Sequence, residues 1–248
     1  MSEATTYLEL RDLRVSYGKV EALHGISVHV EQGEIVTILG ANGAGKTTTL
    51  TTISGLRKPS GGSILFQGRP LHTIPSHEIV RLGITQSPEG RRVFDTLSVR
   101  ENLDLGAFTS KDRGRSAKIR KWIFDLFPRL AEREGQLAGT LSGGEMKRIE
   151  IATVLAKEHT LCIFDEPEAG IDLWSFSMLI HKFEEIHKEK KQSLIVISHQ
   201  EKIISMADRI MVIDDGKIKA EGRKEDVLPC LEGLDKCHAC AGNAGVRA

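Results

Sequence analysis

The chain has 248 residues, which is enough to bury a full core as one large α/β domain or as a core with an inserted subdomain. Its 34 basic residues balance its 34 acidic residues, so the overall charge favours neither nucleic acid nor an anionic membrane, and we expect no nucleic-acid partner. No apolar run approaches about 18 residues, and the first residues lack the features of a signal peptide, which predicts a cytoplasmic protein.

The first predicted element is a strand near the N-terminus. Leu8, Leu10, Leu13 and Val15 are separated by polar residues, which predicts the edge of an antiparallel sheet. Tyr17, one of only two tyrosines, stands at the end of this strand. An aromatic residue there can simply pack on a neighbouring element, so its role depends on the motifs that come later in the chain.

A glycine-rich loop lies between a predicted strand, residues 35–39, and a predicted helix, residues 47–54. Residues 40–47 fit the pattern G-x-x-x-x-G-K-[ST] of a phosphate-binding loop. Its glycines let backbone amides turn towards a polyphosphate, its lysine supplies a cation for the outer phosphates, and its threonine offers a hydroxyl to Mg²⁺. The sequence therefore predicts a nucleotide site at the N-terminus of the helix. The residues predicted to bind the nucleotide here are Gly40, Asn42, Gly43, Ala44, Gly45, Lys46, Thr47 and Thr48.

A phosphate loop so soon after Tyr17 changes what that aromatic residue can be expected to do. Stacking a base on an aromatic ring is worth roughly 1 to 3 kcal/mol and needs no base-specific hydrogen bond. We therefore expect Tyr17 to be the platform on which adenine stacks.

Gln86 is the next candidate site residue. A short helix is predicted at residues 76–82 with Ser76 as its cap, and residues 83–85 form a predicted strand end directly before Gln86. A glutamine at a strand end beside a nucleotide can reach Mg²⁺ or the attacking water with its carbonyl oxygen. It can also swing away when the loop behind it moves.

Residues 93–140 shift from strand patterns to helical ones. Apolar residues recur there at helical spacing, which predicts the small core of a helical subdomain. The stripe consists of Trp122, Ile123, Leu126, Phe127 and Leu130.

A second possible anion site lies at residues 141–145, Leu-Ser-Gly-Gly-Glu, which lead into a predicted amphipathic helix over 146–157. A serine and two glycines at a helix start can bind a phosphate with backbone amides. An ordinary capped helix would look the same, but it would leave the presence of two phosphate-binding motifs in one chain unexplained.

A predicted buried strand at residues 161–166 ends in two carboxylates, Asp165 and Glu166. Burying both without partners would be costly, which argues for a function. Asp165 suits Mg²⁺ held through water near Thr47, and Glu166 suits polarisation of the attacking water.

Another predicted strand, residues 193–198, delivers His199 to the same sheet edge. There, His199 could donate a hydrogen bond to a γ-phosphate. Asp172 closes a tight turn between these two strands. A hairpin of residues 210–213 and 218–220 is predicted to close the fold.

The four cysteines do not form a disulfide framework, and three of them lie in the tail. Cys230, Cys237, His238 and Cys240 could in principle ligate zinc or contact an iron-sulfur group, but the motif is incomplete. We expect residues 230–248 to be a reduced, flexible tail, with metal binding left open.

Together these motifs resemble the ATP-binding cassette (ABC) ATPases in order and approximate spacing, from about residue 7 to residue 222. The resemblance implies an α/β fold, with an ABC-type P-loop NTPase core, an antiparallel β subdomain and an inserted α-helical subdomain at about residues 93–157, all within a domain of residues 1–229. It also implies Mg²⁺-dependent hydrolysis of ATP by a head-to-tail pair of cassettes. Each ATP would then lie between Lys46 and Glu166 of one subunit and the Leu-Ser-Gly-Gly-Glu segment of the other. The residues that the resemblance implies for hydrolysis are Lys46, Gln86, Glu166 and His199. Those implied for Mg²⁺ are Thr47, Gln86 and, through water, Asp165. Further nucleotide contacts are implied for Tyr17, Ser142, Gly143, Gly144 and Asp172.

Below the family level the resemblance divides. Residues 7–140, above all 84–105, resemble the ATPase subunit of branched-chain amino acid importers. Residues 145–230, above all 146–153 and 164–174, resemble the soluble ATPase of Suf-type iron-sulfur cluster assembly. A natural mosaic, a recombinant and a designed sequence would all show this division.

Two functions are implied by the resemblance. In these ATPases partner proteins dock on the region from Gln86 to about Gly139, here in the importer-like half. We therefore expect a subunit of an importer, peripheral on the inner face of the cell membrane through integral-membrane permease subunits. The alternative is a freely cytosolic ATPase that drives a soluble iron-sulfur scaffold. Homodimer and heterodimer remain equally open.

Overall fold

A computed structural model describes residues 6–90, 92–107, 113–156 and 159–231. The strands are β1 (Thr6–Tyr17), β2 (Val20–Glu31), β3 (Ile35–Leu39), β4 (Gly61–Phe66), β5 (Arg69–Pro70), β6 (Ile84–Ser87), β7 (Leu161–Asp165), β8 (Ser193–Ile197), β9 (Arg209–Asp214) and β10 (Lys217–Arg223). The α-helices are α1 (Lys46–Ile53), α2 (Ser76–Arg81), α3 (Val99–Gly106), α4 (Arg113–Leu126), α5 (Pro128–Glu132), α6 (Gly143–Leu155), α7 (Leu173–Glu189), α8 (Glu201–Met206) and α9 (Lys224–Leu231).

The larger sheet has six strands in the order β10-β9-β3-β8-β7-β6. Strands β9, β3, β8, β7 and β6 run parallel to one another, and β10 pairs antiparallel with β9 as the predicted hairpin. Every residue of β3, β7 and β8 is buried, as expected of strands that are covered on both faces. This parallel sheet with helices confirms the predicted α/β class.

The smaller sheet is antiparallel and has the order β2-β1-β4-β5. The prediction that residues 8–15 form a sheet edge was wrong, because β1 pairs with β2 on one side and with β4 on the other. The alternating pattern was misleading here, because a strand covered on only one face alternates wherever it lies in an antiparallel sheet.

Strands β7 and β8 of the larger sheet send successive side chains alternately to two separate hydrophobic cores. In β7, for example, Leu161 and Ile163 pack with the antiparallel sheet and α1, whereas Cys162 and Phe164 pack with α6 and α7. The period of two along a strand sends successive side chains to opposite faces. The same buried strands thus contribute side chains to the cores on both faces of the sheet.

The predicted helical stripe is buried, but its core is not a separate one. Ile123, Leu126, Phe127 and Leu130 belong to the same cluster as Phe164 of the sheet. Trp122 lies at its margin and is partly buried. The helical region is therefore packed continuously onto the sheet.

One predicted cap was also wrong. Ser76 is the first residue of α2 rather than its cap, and Pro75 precedes the helix in an extended conformation without a side-chain cap. Proline supplies a fixed φ that suits a helix entrance, so the helix begins without a capping hydroxyl. Within the described ranges, no helix is both long enough and apolar enough to cross a membrane.

Candidate functional site

The predicted catalytic residues meet at one edge of the larger sheet. Because β3, β8, β7 and β6 are parallel, their carboxyl ends lie on the same side. The loop of residues 40–45 follows β3, Glu166 follows β7, His199 lies beyond β8, and Gln86 is near the end of β6. Ligands of open α/β sheets bind at this edge.

The phosphate loop joins β3 to the N-terminus of α1. Gly43 has φ 81°, and nothing lies within 4 Å of where a Cβ would be, so this backbone faces open space. Such a left-handed turn favours glycine and exposes backbone amides. The buried Lys46 folds back over the loop, where its Nζ donates to the carbonyl oxygens of Gly40 at 2.8 Å and Ala41 at 3.0 Å. Lys46 thus braces the loop in which the phosphates are expected.

A set of oxygen-bearing side chains stands beside the loop. Thr47, the second residue of α1, hydrogen-bonds to Asp165 at the end of β7. The Oδ2 atom of Asp165 is buried and has no hydrogen-bond partner among the described residues. The amide oxygen and nitrogen of Gln86 are likewise buried and unpaired within the described part of the chain. Buried polar atoms normally find partners, so these oxygens fit a ligand that prefers oxygen, as a divalent cation does.

Burial raises the pKa of Asp165 to about 6 from its ordinary 3.8. The hydrogen bond from Thr47 acts in the opposite direction, while the negative charges of Glu89 and Glu166 add to the increase and the positive charge of Lys147 opposes it. A bound cation would favour the ionised form of the Asp165 carboxylate and would therefore lower its pKa.

Glu166 has an unusual backbone. Its φ is 48°, a left-handed conformation that side chains other than glycine rarely adopt. Its N–H donates to the carbonyl oxygen of Ile197 at 3.0 Å, so it remains attached to β8 beyond the end of the strand pairing. Its side chain is half-buried beside the sheet edge, and that of His199 is exposed.

The segments that carry Glu166 and His199 are tied together by two residues that the sequence did not single out. The hydroxyl of Ser198 donates to Oε1 of Glu168 at 2.6 Å and accepts the N–H of Gln200 at 3.0 Å. Ser198 is fully buried, so this contact holds the two loops together at the sheet edge. The position of these residues next to predicted catalytic ones was the only signal that could have identified them.

Tyr17 lies at the mouth of a cleft of about 710 Å³, here called the nucleotide cleft, that is also lined by Thr47, Arg57 and Glu89. The tyrosine is 45% exposed, and its hydroxyl lies 3.3 Å from Oγ1 of Thr48. The guanidinium of Arg57 lies 3.7 Å from the centre of the Tyr17 ring. This cation–π contact covers part of the ring and fixes its orientation, a role for Arg57 that the sequence did not suggest.

The second predicted phosphate motif is a capped helix end. Ser142 is the N-cap of α6, and its hydroxyl accepts the N–H of Glu145 while donating to Oε2 of Glu145 at 2.6 Å. The backbone N–H of Ser142 donates to the same carboxylate at 3.0 Å, which completes a capping box. Both interpretations of the motif are thus compatible with the fold: the helix is capped, and Ser142 itself is exposed.

Gly144 and Asp172 fix α6 against the start of α7. A Cβ on Gly144 would lie 2.3 Å from the carbonyl oxygen of Gly170, so only glycine fits. Asp172 caps α7 by accepting the N–H of Ser175 at 2.9 Å, and it also pairs with Arg148 of α6. The hydrogen bond from the Ser175 backbone lowers the pKa of Asp172, and the charge of Arg148 contributes in the same direction.

Ser142 and Asp172 line a different cleft from Tyr17 and Thr47. This signature cleft, about 750 Å³ in volume, is also lined by Arg129, Arg133 and Trp174. Among the described residues, none lines both clefts. One chain therefore presents its two phosphate-binding motifs in separate places.

Part of the metal prediction falls outside the structure. Cys237, His238 and Cys240 lie beyond the described residues. Within those residues, no group of three or more His, Cys, Asp or Glu side chains could hold a metal ion. The oxygen set at the sheet edge has a different composition, since it combines one carboxylate with a hydroxyl and an amide.

Comparison with known proteins identifies the family of this chain. The ABC transporter family matches residues 23–169. The high-affinity branched-chain amino acid transport ATP-binding protein BraG of Pseudomonas aeruginosa is 40% identical over 202 residues, covering 82% of this chain and 86% of BraG. The probable branched-chain amino acid transport ATP-binding protein LivG of Archaeoglobus fulgidus is 31% identical, covering 89% and 91%.

Solved structures show the same fold. An ATP-binding subunit of an ABC transporter superposes with a TM-score of 0.81 at 27% identity, covering 92% of this chain and 94% of that one. The ADP-bound cassette MJ1267 gives a TM-score of 0.76 at 26% identity, covering 92% and 95%. The predicted P-loop NTPase fold is confirmed. The chain belongs to the ABC transporter family, as one of its ATP-binding cassettes with ATPase activity.

Proposed function

We propose that this chain is the ATP-hydrolysing subunit of a membrane importer, with branched-chain amino acids as its solutes. The observation that carries the proposal is the 40% identity to BraG over most of both chains, together with the second relative, LivG, whose name gives the same solutes. The resemblance of residues 7–140 to importer subunits agrees with it. Coupling would place the chain in the cytoplasm, at the inner face of the membrane.

Mg²⁺ is proposed as the second cofactor beside ATP. The unpaired oxygens of Gln86 and Asp165 and the hydroxyl of Thr47 form an all-oxygen set of the kind that Mg²⁺ prefers. Thr47 and Gln86 would hold the ion directly and Asp165 through water. When bound, Mg²⁺ neutralises charge on the phosphate oxygens.

The protein's own side chains then perform hydrolysis. The half-buried Glu166, fixed at the end of β7, accepts the proton of the attacking water. Lys46 turns from the loop carbonyls towards the outer phosphates, and the exposed His199 donates to the γ-phosphate. The loop of residues 40–45, with Thr48, holds the phosphate chain while Tyr17 stacks on adenine.

Two subunits in a head-to-tail arrangement would complete each site. The signature cleft with Ser142 shares none of its described lining residues with the nucleotide cleft, so we expect the two motifs of one chain to act on different nucleotides. The exposed amide end of α6 would meet the γ-phosphate bound by the other subunit. Asp172 would support this contact by holding α6 against α7. The same arrangement serves a homodimer and a heterodimer.

The permease subunits are proposed to dock beside the loop that follows Gln86. Leu56 and Phe94 are 65% and 61% exposed, and Leu56 lies with Glu89 and Arg92 in the wall of the nucleotide cleft. Exposed apolar side chains with charged neighbours are typical of a protein contact surface. A partner bound here would touch the segment that bears Gln86.

The domain limits remain part of this proposal. The ATPase domain would comprise residues 1–229, with its helical subdomain at about 93–157; of the predicted tail, Cys230 lies in α9, and Cys237 and Cys240 lie outside the described residues. The alternative function, a soluble ATPase of Suf-type iron-sulfur assembly, rests on the resemblance of residues 145–230.

Co-purification from mild detergent extracts tests the choice between these functions. Recovery of the chain with an integral-membrane permease, in the presence of ATP, is the expected result. Recovery with soluble scaffold proteins from a membrane-free fraction would contradict the importer function. The variant Phe94→Glu should no longer co-purify with the permease but should keep basal ATP hydrolysis.

A further inference from the structure

Two charged side chains of α6 are buried where the helix passes the loop after Gln86. Lys147 is 2% exposed and Glu150 is 4% exposed. Nζ of Lys147 lies 3.0 Å from Oε1 of Glu150, a pair separated by three residues on one helix face. Charged groups of this kind are seldom buried unless paired, and an apolar pair would fill the same space with less loss of hydration.

The pair makes further hydrogen bonds to one segment, residues 87–92, of which residue 91 lies outside the described residues. The carboxylate of Glu150 accepts the hydroxyl of Ser87 at 2.5 Å and the backbone N–H of Arg92 at 2.9 Å. The ammonium group of Lys147 donates to the carbonyl oxygen of Pro88 at 3.0 Å. The two charges therefore tie both ends of this segment to α6.

This segment and α6 each continue directly into a predicted site residue. Ser87 is next to Gln86, whose amide atoms stand unpaired at the sheet edge among the described residues. Lys147 lies in the same rigid helix as Ser142, the N-cap in the signature cleft. The buried pair thus joins a segment that lines the nucleotide cleft to the helix whose N-cap lines the signature cleft.

We propose that Lys147 and Glu150 are positioning residues that make the segment 87–92 and helix α6 move as one body when two subunits close on ATP. The inference rests on the proposed head-to-tail dimer. A change at Gln86 would be passed to Ser142 because the hydrogen bonds of Glu150 fix the spacing between the two. Coupling carried by such a network is spread over contacts of modest strength, so its loss should impair closure without abolishing nucleotide binding.

The pair also connects the two stretches that resemble different ABC subfamilies. Ser87, Pro88 and Arg92 lie in the importer-like half, whereas Lys147 and Glu150 lie in the half that resembles the Suf-type ATPase. These contacts are a physical route by which the two halves can still act together.

The test replaces both charges at once, because removing one would leave the other buried and unpaired. The double variant Lys147→Met/Glu150→Met keeps side chains of similar length and removes the hydrogen bonds of both residues to Ser87, Pro88 and Arg92. It is made in a Glu166→Gln background, in which ATP should remain bound. Thermal unfolding, ATP affinity, amide hydrogen exchange at Arg92 and ATP-driven dimerisation by light scattering are then measured.

We expect the double variant to fold and to bind ATP with an affinity within about twofold of its parent. The amide of Arg92 should exchange about 10-fold faster, and half-maximal dimerisation should need about 10-fold more ATP. The control is Lys182→Met/Glu185→Met, a pair of the same residue types and spacing on α7 whose side chains are 26% and 55% exposed, which should change neither readout. A merely structural pair would alter unfolding without separating ATP binding from dimerisation.

If the double variant does not fold, Ser87→Ala provides the second test, since it removes one tie and leaves the charged pair in place. We again expect ATP affinity to stay nearly unchanged, while exchange at Arg92 becomes about threefold faster and half-maximal dimerisation needs about threefold more ATP. Unchanged exchange and unchanged dimerisation in a folded variant would overturn the inference. If the parent itself failed to dimerise with ATP, the proposed function would be at fault instead.

Discussion

Thr47 and Asp165 are hydrogen-bonded across the gap between the first turn of α1 and the end of β7, and Oδ2 of Asp165 remains buried without a partner among the described residues. This relationship joins the phosphate loop to the strand at whose end the two predicted site carboxylates, Asp165 and Glu166, lie. It also places a carboxylate with a raised pKa where a cation is expected.

The first prediction concerns the pH dependence of stability without nucleotide. Burial raises the pKa of Asp165 to about 6 from 3.8, so the fold favours the protonated form. Its stabilising contribution is complete below pH 3.8 and is lost as pH rises through about 6. Asp165→Asn should therefore be more stable than the parent at pH 7.5, by about 1 to 3 kcal/mol. Urea unfolding of both proteins between pH 4 and 7.5 measures the difference, which should shrink towards acid; a constant difference would contradict the shift.

The second prediction concerns the base platform. Tyr17→Ala should weaken ATP binding by about 1 to 3 kcal/mol, because it removes the stacking surface, whereas Tyr17→Phe should bind nearly as the parent does. Val20→Ala, an exposed apolar change three residues away, is the control. Equal ATP affinities for Tyr17→Ala and the parent, by calorimetry, would show that adenine lies elsewhere.

The third prediction concerns the catalytic base. Glu166→Gln keeps the size of the side chain but cannot accept a proton, so hydrolysis should slow by about 10² to 10⁴ while ATP still binds. Single-turnover assays with a parallel binding measurement separate the two steps. Unchanged turnover would assign the base to another residue.

The fourth prediction concerns the packing of α6. Gly144→Ala would place a Cβ 2.3 Å from the carbonyl oxygen of Gly170, and we expect the overpacking to destabilise the protein by about 1 to 3 kcal/mol. Gly135→Ala is the control, because nothing lies within 4 Å of a Cβ there. Chemical denaturation compares the two, and equal stabilities would show that α6 can shift without cost.

Local patterns were sufficient for much of the fold. The strand at residues 35–39 was predicted with its observed bounds, because a short apolar run before a glycine-rich loop has few alternatives. The place of β1 inside its sheet could not be predicted, since alternation reports which face is buried and not which neighbours pair. The merging of the helical stripe with the core around Phe164 likewise depends on contacts between residues far apart in the chain.

The residues of the candidate site also divide into those that the sequence predicted and those that it did not. Lys46 and Asp165 stood in motifs whose spacing follows from phosphate and metal chemistry. Arg57 and Glu150 had no such signal, because each acts through a partner that is distant in sequence, Tyr17 for Arg57 and Ser87 for Glu150. Only the folded chain brings these pairs together.

The most direct test of the account asks whether one nucleotide site is built from two subunits. Lys46→Ala disables the phosphate loop, and Ser142→Asp keeps an N-cap residue while placing a negative charge where the γ-phosphate is expected. We expect each variant alone to lose nearly all ATP hydrolysis. Ser142→Asn, which introduces no charge, serves as the control.

The decisive measurement is the ATPase rate after the two inactive variants are mixed. A mixed dimer would contain one intact site, formed by Lys46 of one subunit and Ser142 of the other, so mixing should restore hydrolysis far above either variant alone. Mixed dimers, verified by mass, that hydrolyse no faster than the separate variants would contradict the shared site.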